Sequence, residues 1–174
     1  MGTFTRTAGP DLDFAVIDEQ YGTFDIDGVR EAVVALRAGN GAPVMTPIVR
    51  IPLAARDAPQ AVVRQLLDAG VSGGMFPDIE TKAQAMSAIS SMRVARESGA
   101  DVWPLDPAGT LVAMLQIETL AGIENLDEIL DVPGIGVIFL GPTDLATSAG
   151  EDGPNAPRVD ALVQEVLEVC LARN

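Results

Sequence analysis

The chain has 174 residues, of which 48% are hydrophobic, and carries a net charge of −14 with one cysteine and no histidine. This length allows one domain with a real core, but it falls short of the roughly 250 residues of a complete eight-fold α/β barrel. The acidity speaks against a nucleic-acid partner, and the lack of histidine excludes Ser-His and Cys-His nucleophile pairs and histidine-ligated zinc within this chain.

Neither a membrane span nor a disulfide is expected. No apolar run approaches the roughly 18 residues that a bilayer requires, and the N-terminus lacks a signal-peptide pattern. Cys170, the lone cysteine, has no intrachain partner, and its apolar helical surroundings predict a buried thiol. These features are typical of a cytoplasmic protein.

The first half of the chain alternates short apolar runs with helical patterns. A first strand is expected at 2–7 and a buried strand at 13–18, although the gap between them is too short for a crossover helix. The elements predicted next are a helix from Asp25 or Asp27 to about 38 with Val29, Val33, Val34 and Leu36 inward, a strand at 45–52, a helix over 57–67, a glycine-rich strand end at 73–77, and a helix over 81–92.

The second half repeats the alternation after a weaker stretch at 93–108, which is predicted as a connector and an extended turn. Beyond it are expected a strand at 112–118, a helix over 120–130, a strand at 137–140, a polar loop at 147–157 and an amphipathic helix over 159–172. Alternating strands and helices predict an α/β fold with a parallel sheet, either barrel-like or doubly wound. We treat residues 1–174 as one domain with about six βα units.

Two carboxylates, Glu118 and Asp144, follow buried strands at the points where those strands open into loops. The right-handed βαβ crossover between the strands places both ends on one rim, so the two side chains are expected to converge. Paired carboxylates suit a hard divalent cation such as Mg²⁺ or Mn²⁺. The alternative is structural, with Glu118 capping a helix and Asp144 stabilising a turn.

Other polar residues lie at strand ends. Arg50 can hold a carboxylate or polarise a carbonyl oxygen, or it can simply tie a loop to a surface acid. The turn Gly141-Pro-Thr143-Asp144 offers backbone amides to an anion. Asp18 and Tyr21 follow another strand, but a tyrosine taken alone is more often a packed aromatic than a catalyst.

Four motifs together carry a specific resemblance. They are Ile17-Asp-Glu-Gln-Tyr-Gly-Thr-Phe-Asp25, Pro47-Ile-Val-Arg50-Ile-Pro52, Gln116-Ile-Glu118-Thr and Gly141-Pro-Thr-Asp144-Leu. In order and approximate spacing, the chain resembles the HpcH/HpaI aldolase/citrate lyase family over most of 13–174. The resemblance implies a TIM-barrel-like (β/α)8 fold, incomplete in this chain, and metal-dependent making and breaking of carbon-carbon bonds in 2-oxo acids.

The resemblance also assigns roles. It implies that Glu118 and Asp144 hold the metal, and that Arg50 contacts the oxo group of a pyruvyl substrate and its enolate. Gln116 would lie in the substrate site, and the backbone around Gly141, Thr143 and Asp144 would receive the substrate carboxylate. The expected partners are a small 2-oxo acid and an aldehyde, and the family implies a homo-oligomer, generally a hexamer.

The chain departs from the family motif at Tyr21, where the family has a catalytic histidine. A phenol with a reference pKa near 10 is a poor base at neutral pH, so either a metal-bound water or another proton route would be needed. Asp18 matches the acid that normally partners that histidine. The resemblance implies that Arg50, Asp18 and Tyr21 occupy the catalytic positions.

Three functions are carried forward. The first is a lyase that acts on 4-hydroxy-2-oxo acids through a pyruvate enolate. The second is a non-catalytic family member that binds metal and a 2-oxo acid. The third, chemistry on an acyl-CoA, is disfavoured because no basic patch suits a nucleotide phosphate. Because an incomplete barrel exposes strand edges, we expect further segments or oligomerisation to cover them.

Overall fold

A computed structural model of the chain describes residues 12–37, 44–94 and 102–173. Its strands are β1 (Phe14–Asp18), β2 (Thr46–Arg50), β3 (Gly73–Phe76), β4 (Val102–Trp103), β5 (Leu111–Ile117) and β6 (Val137–Leu140). Its helices are α1 (Ile26–Ala35), α2 (Gln60–Asp68), α3 (Lys82–Val94), α4 (Leu120–Glu124), α5 (Leu126–Leu130), α6 (Pro142–Ala149) and α7 (Pro157–Ala172), with a 3₁₀ turn at Leu53–Ala55.

The six strands form one parallel sheet. It runs β1-β2-β3-β5, and the far side of β5 pairs with β4 at its beginning and with β6 along the rest. The sheet curls into a half-barrel whose strands alternate with helices, which confirms the predicted α/β, incomplete-barrel architecture. In the register, Asp18 lies beside Arg50 and Ile117 beside Leu140, so the carboxyl ends of the strands meet along one rim.

The two faces of the sheet are covered to different extents. The outer face packs under the helices and forms the main core, with Val49, Phe76 and Leu115 completely buried. The inner, concave face has a smaller apolar cluster of Ile48, Met75 and Met114. At the two edge strands, Phe14, Val16 and Phe139 remain exposed. Within residues 12–37, 44–94 and 102–173, the helical face is therefore covered, whereas the concave face has exposed apolar side chains at β1 and β6.

Local chemistry explains the helix ends nearest the rim. Asp25 caps α1 by accepting a hydrogen bond from the Gly28 amide at 3.0 Å. Helix α6 starts with Pro142, whose missing N–H costs nothing in a first turn, and ends at Gly150, whose φ of 71° is left-handed. These two residues fix the short helix that follows β6.

The predicted strands at 13–18, 45–52, 73–77, 112–118 and 137–140 are confirmed, whereas the predicted strand at 2–7 lies outside the described residues. The predicted helix over 120–130 divides at Asn125 into α4 and α5.

Several finer predictions need correction. Part of the predicted polar loop at 147–157 belongs to α6, because Gly150 rather than Thr147 ends that helix. Val34 was predicted to face inward but is 68% exposed, since it lies on the solvent side of α1. Trp103 belongs to the short strand β4 rather than to an extended turn, and Cys170 is only partly buried. No helix in the described ranges is long and apolar enough to span a bilayer.

Candidate active site

Five polar side chains lie at the carboxyl-terminal rim of the half-barrel. Asp18 ends β1, Arg50 ends β2, Gln116 and Glu118 lie at the end of β5, and Asp144 lies in the first turn of α6. Parallel strands bring these ends together because every strand points the same way. The sequence-predicted site residues from four different elements therefore share one edge of the sheet.

Arg50 and Asp18 form a two-point ion pair across β1 and β2. The Arg50 Nε donates to Asp18 Oδ1 at 2.9 Å, and Nη2 donates to the second carboxylate oxygen. The hydrogen bond from Arg50 holds the pKa of Asp18 below its usual value, and the same hydrogen bond raises the pKa of Arg50. The sequence did not predict this pairing between Asp18 and Arg50.

Gln116 connects this ion pair to Glu118. Its Oε1 accepts a long hydrogen bond of 3.4 Å from Arg50 Nη1, and its Nε2 donates to Glu118 Oε2 at 2.6 Å. Both Gln116 and Glu118 are buried. A side chain that accepts on one side and donates on the other fixes the orientations of both neighbours.

Glu118 is fully buried, and its hydrogen bonds come from neutral donors. In addition to Gln116, the backbone amide of Asp78 donates to Glu118 Oε1 at 3.0 Å. Burial raises the pKa of Glu118 to about 8, and the nearby negative charges of Asp78 and Asp144 add to the increase. The carboxyl group is thus held in place, and its pKa is raised because the surroundings compensate the ionised form poorly.

The turn after β6 packs directly against that carboxylate. A methyl group added at Gly141 would overlap Glu118 Oε2 and come within 3.0 Å of Gln116 Nε2. Pro142 has no N–H, and Thr143 and Asp144 occupy the first turn of α6, where amides lack intrahelical acceptors. The start of α6 therefore lies beside Glu118, and anion binding by the Gly141 to Asp144 turn stays a prediction.

A sequence profile of the HpcH/HpaI aldolase/citrate lyase family matches residues 7–173. The chain belongs to this family. It is 31% identical to the hydroxypyruvate/pyruvate aldolase of Rhizorhabdus wittichii, over 90% of this chain and 62% of that protein. It is 32% identical to the protein of the same name from Roseovarius nubinhibens, over 96% of this chain and 66% of that one.

The fold agrees with this assignment. A solved HpcH/HpaI aldolase/citrate lyase family protein from Burkholderia cenocepacia superposes with a TM-score of 0.72 at 28% identity, over 90% of this chain and 66% of the other. The chain therefore spans slightly less than two thirds of the length of these relatives. The half-barrel corresponds to that part of the family fold.

Tyr21, at which the sequence departs from the expected family motif, is 70% exposed. Desolvation raises its pKa, and the negative charges of Asp144, Asp78 and Glu118 raise it further. With a raised pKa the phenol stays protonated at neutral pH, so it can donate a hydrogen bond but is not poised to accept a proton.

Asp78 is a site residue that sequence reasoning missed. It comes two residues after β3, has a left-handed φ of 49°, and donates its backbone amide to Glu118. Its Phe76-Pro77-Asp78 context repeats the pattern of an apolar run closed by an acid that identified Glu118 and Asp144. That repetition was the available signal.

A divalent cation fits the acidic side of the rim. Glu118 is a buried carboxylate with uncompensated charge and Asp144 is only partly buried, so the two offer the oxygen donors that Mg²⁺ or Mn²⁺ prefers. Across residues 12–37, 44–94 and 102–173, no three acidic or cysteine side chains are grouped to enclose a metal. Glu118 and Asp144 would therefore be two protein ligands, and water and substrate would fill the remaining positions of a bound cation.

Proposed function

We propose that the chain carries the active site of a divalent-metal-dependent aldolase that cleaves or forms carbon-carbon bonds of 4-hydroxy-2-oxo acids through a pyruvate enolate. One observation carries the proposal. Gln116 joins a permanently charged guanidinium on one side to a buried, acid-flanked carboxylate on the other. Similar proteins named hydroxypyruvate/pyruvate aldolase and 2-keto-3-deoxy-L-rhamnonate aldolase support the same chemistry.

In this mechanism Glu118 and Asp144 would hold the cation. A bound divalent ion supplies Lewis acidity, which polarises the oxo group of the substrate. Arg50 donates hydrogen bonds toward the C2 oxygen, where negative charge develops as the C3-C4 bond breaks. Asp18 keeps the guanidinium oriented through its two contacts, so little reorganisation is needed during the reaction.

The substrate carboxylate would be received by the first turn of α6. The amides of Thr143 and Asp144 face a negative group favourably, both as unsatisfied donors and through the helix dipole. This contact fixes the 2-oxo acid at its carboxylate end. The oxo group would then lie between Arg50 and the acidic pair, where both can act on it.

The proposal is tested by turnover. Purified protein with Mg²⁺ or Mn²⁺ is mixed with pyruvate and a panel of aldehydes, and adduct formation is followed by NMR. We expect adduct with the unaltered chain and a loss of about a thousandfold or more with Glu118→Gln, which keeps the shape but removes the ligand charge. No adduct in either direction, with the protein folded and metal-loaded, would contradict the proposed activity.

A second candidate function is metal-dependent binding of a 2-oxo acid without turnover. Two pKa shifts favour this function. The pKa of Asp18 is lowered and the pKa of Tyr21 is raised, and both residues lie near the expected position of proton transfer. Neither group is poised to exchange a proton near pH 7. Calorimetry would then show Mg²⁺-dependent oxalate binding without turnover, and a Tyr21→His substitution would introduce activity.

A further inference from the structure

A chain of contacts reaches Glu118 from outside the site, through Asp78 and Arg56. We infer that Arg56 is a positioning residue for Glu118 and acts on it through the main chain of Asp78. The inference rests on the proposed function, in which Glu118 is a cation ligand. It concerns how that ligand is aimed before a cation arrives.

Hydrogen bonds hold both the backbone amide and the backbone carbonyl of Asp78. Its amide donates to Glu118 Oε1 at 3.0 Å, and its carbonyl accepts from Arg56 Nη1 at 3.2 Å. The next amide, of Ile79, donates to the Gln116 carbonyl at 3.0 Å. Because a left-handed φ of 49° is uncommon for a residue other than glycine, these contacts together hold a conformation that the chain does not favour alone.

Arg56 is itself braced. Its Nε donates to Asp57 Oδ1 at 3.1 Å, and its Nη1 lies 3.6 Å from Glu80 Oε2. Gln84 donates to Asp57 at 2.8 Å and accepts from the Glu80 amide at 2.9 Å, which ties the guanidinium to the beginning of α3. The start of α3 therefore holds Arg56 through Asp57 and Gln84. Arg56 in turn holds the Asp78 carbonyl, and the Asp78 amide orients the Glu118 carboxylate.

Charge and position make opposite predictions for Arg56. The guanidinium is a positive charge close to an acidic site, so its removal would tighten cation binding on electrostatic grounds alone. Its removal would also free the Asp78 peptide and let Glu118 turn, which weakens cation binding. Groups that orient metal ligands typically contribute about 10- to 100-fold in metal affinity, so the positional effect is expected to exceed the opposing charge effect.

The test is Mn²⁺ titration of the full chain, followed by the electron paramagnetic resonance signal of the free ion. Relative to the unaltered protein, we expect Arg56→Ala to bind Mn²⁺ about tenfold more weakly. Arg56→Lys keeps the charge and one donor, so about threefold weaker binding is expected. Arg64→Ala, an equal charge change on the exposed side of α2, is the matched control and is expected to stay within about twofold.

The outcomes separate the two proposals. If the unaltered chain binds no Mn²⁺, or Glu118→Gln binds it equally well, the metal site fails and the positioning role fails with it. If Glu118→Gln loses binding while Arg56→Ala binds as tightly as the unaltered chain or more tightly, only the positioning role is overturned. Should Arg56→Ala fail to fold, Arg56→Lys decides, and unchanged affinity in that variant overturns the inference.

Discussion

The two halves of the rim differ in how their charge is balanced. On one side, Asp18 and Arg50 neutralise each other through two hydrogen bonds, and Asp18 is half exposed to water. On the other side, Glu118 is fully buried, its donors are neutral, and its pKa is raised to about 8. Gln116 links the two halves through side-chain hydrogen bonds to Arg50 and to Glu118.

The difference shows which half has its charges paired within the protein and which half does not. An ion pair with matched geometry is stable in the absence of substrate, and it presents a fixed donor to an incoming oxygen. A buried carboxylate without a positive partner is costly, and either a proton or a cation relieves that cost. The acidic half therefore contains a buried carboxyl group whose ionised form is not balanced by a positive charge, and perturbing this half should have the larger effects.

Among variants that keep every charged side chain of the rim, the largest effect is expected from Gly141→Ala, which perturbs the acidic half by shape alone. The backbone at Gly141, with φ of −106°, suits alanine, but the added methyl would overlap Glu118 Oε2. We expect Mn²⁺ affinity to fall more than about tenfold, together with a loss of about 1–3 kcal/mol in the free energy of unfolding. Titration calorimetry and urea unfolding measure the two quantities.

Gly153→Ala is the matched control for this substitution. A methyl group at Gly153 meets nothing within 4 Å, so the free energy of unfolding of this variant is expected to differ from that of the unaltered chain by about 0.5 kcal/mol or less. Equal behaviour of the two variants would show that the turn after β6 does not press on Glu118 as the structure has it.

Asp18→Asn tests the balanced half and should have an intermediate effect. Asparagine keeps one acceptor for Arg50 but loses the charge, which weakens a charge-assisted contact of about 1.5–3 kcal/mol. If Arg50 steadies the enolate oxygen, kcat should fall about 10- to 100-fold with little change in KM, because that charge develops only in the transition state. A rise in KM at constant kcat would instead assign Arg50 to ground-state binding.

The sequence predicted the strands and the acidic pair because both depend on local patterns. An apolar run closed by an acid marks a buried strand and the loop that follows it, and Glu118 and Asp144 end two such runs in a βαβ unit. The fold class followed from the alternation of strands and helices. These features require no knowledge of which side chains touch.

The contacts between side chains could not be predicted in the same way. The Asp18 to Arg50 pair depends on the register of β1 against β2, which the sequence does not state. Asp78 contacts Glu118 through its backbone amide, and its backbone has a left-handed φ. Apart from glycine, no residue type reliably predicts that conformation from the sequence. Val34 was misassigned because helical spacing cannot say where the apolar stripe of α1 ends.

The pH dependence of stability should reveal the uncompensated charge of Glu118. Because its pKa is raised from 4.5 to about 8, the folded protein binds more protons than the unfolded chain between those values. Stability of the metal-free protein therefore falls as pH rises from about 4.5 to 8 and levels off above, with a slope from this group of at most about 1.4 kcal/mol per pH unit.

Urea unfolding of the metal-free chain and of Glu118→Gln between pH 5 and 8.5 measures this contribution. The glutamine variant has no charge to desolvate, so its profile should be flatter than that of the unaltered chain. Parallel profiles would mean that Glu118 does not titrate in this range and that ionising it costs less than its burial indicates.

The smallest expected effect comes from Gln20, which lies next to Tyr21 beside the balanced half. Its amide oxygen and nitrogen are both buried without a hydrogen-bond partner in the described structure, whereas its backbone bonds to Asp18 and Leu53. An unsatisfied buried amide is destabilising, so Gln20→Leu should raise the free energy of unfolding by about 1 kcal/mol.

Gln84→Leu is the control, because it removes an amide that is hydrogen-bonded to Asp57, Glu80 and Thr81. This variant should lower the free energy of unfolding by a similar amount. A loss of stability in both variants would contradict the expectation that the buried Gln20 amide is unsatisfied, since a bound water could satisfy both of its polar atoms.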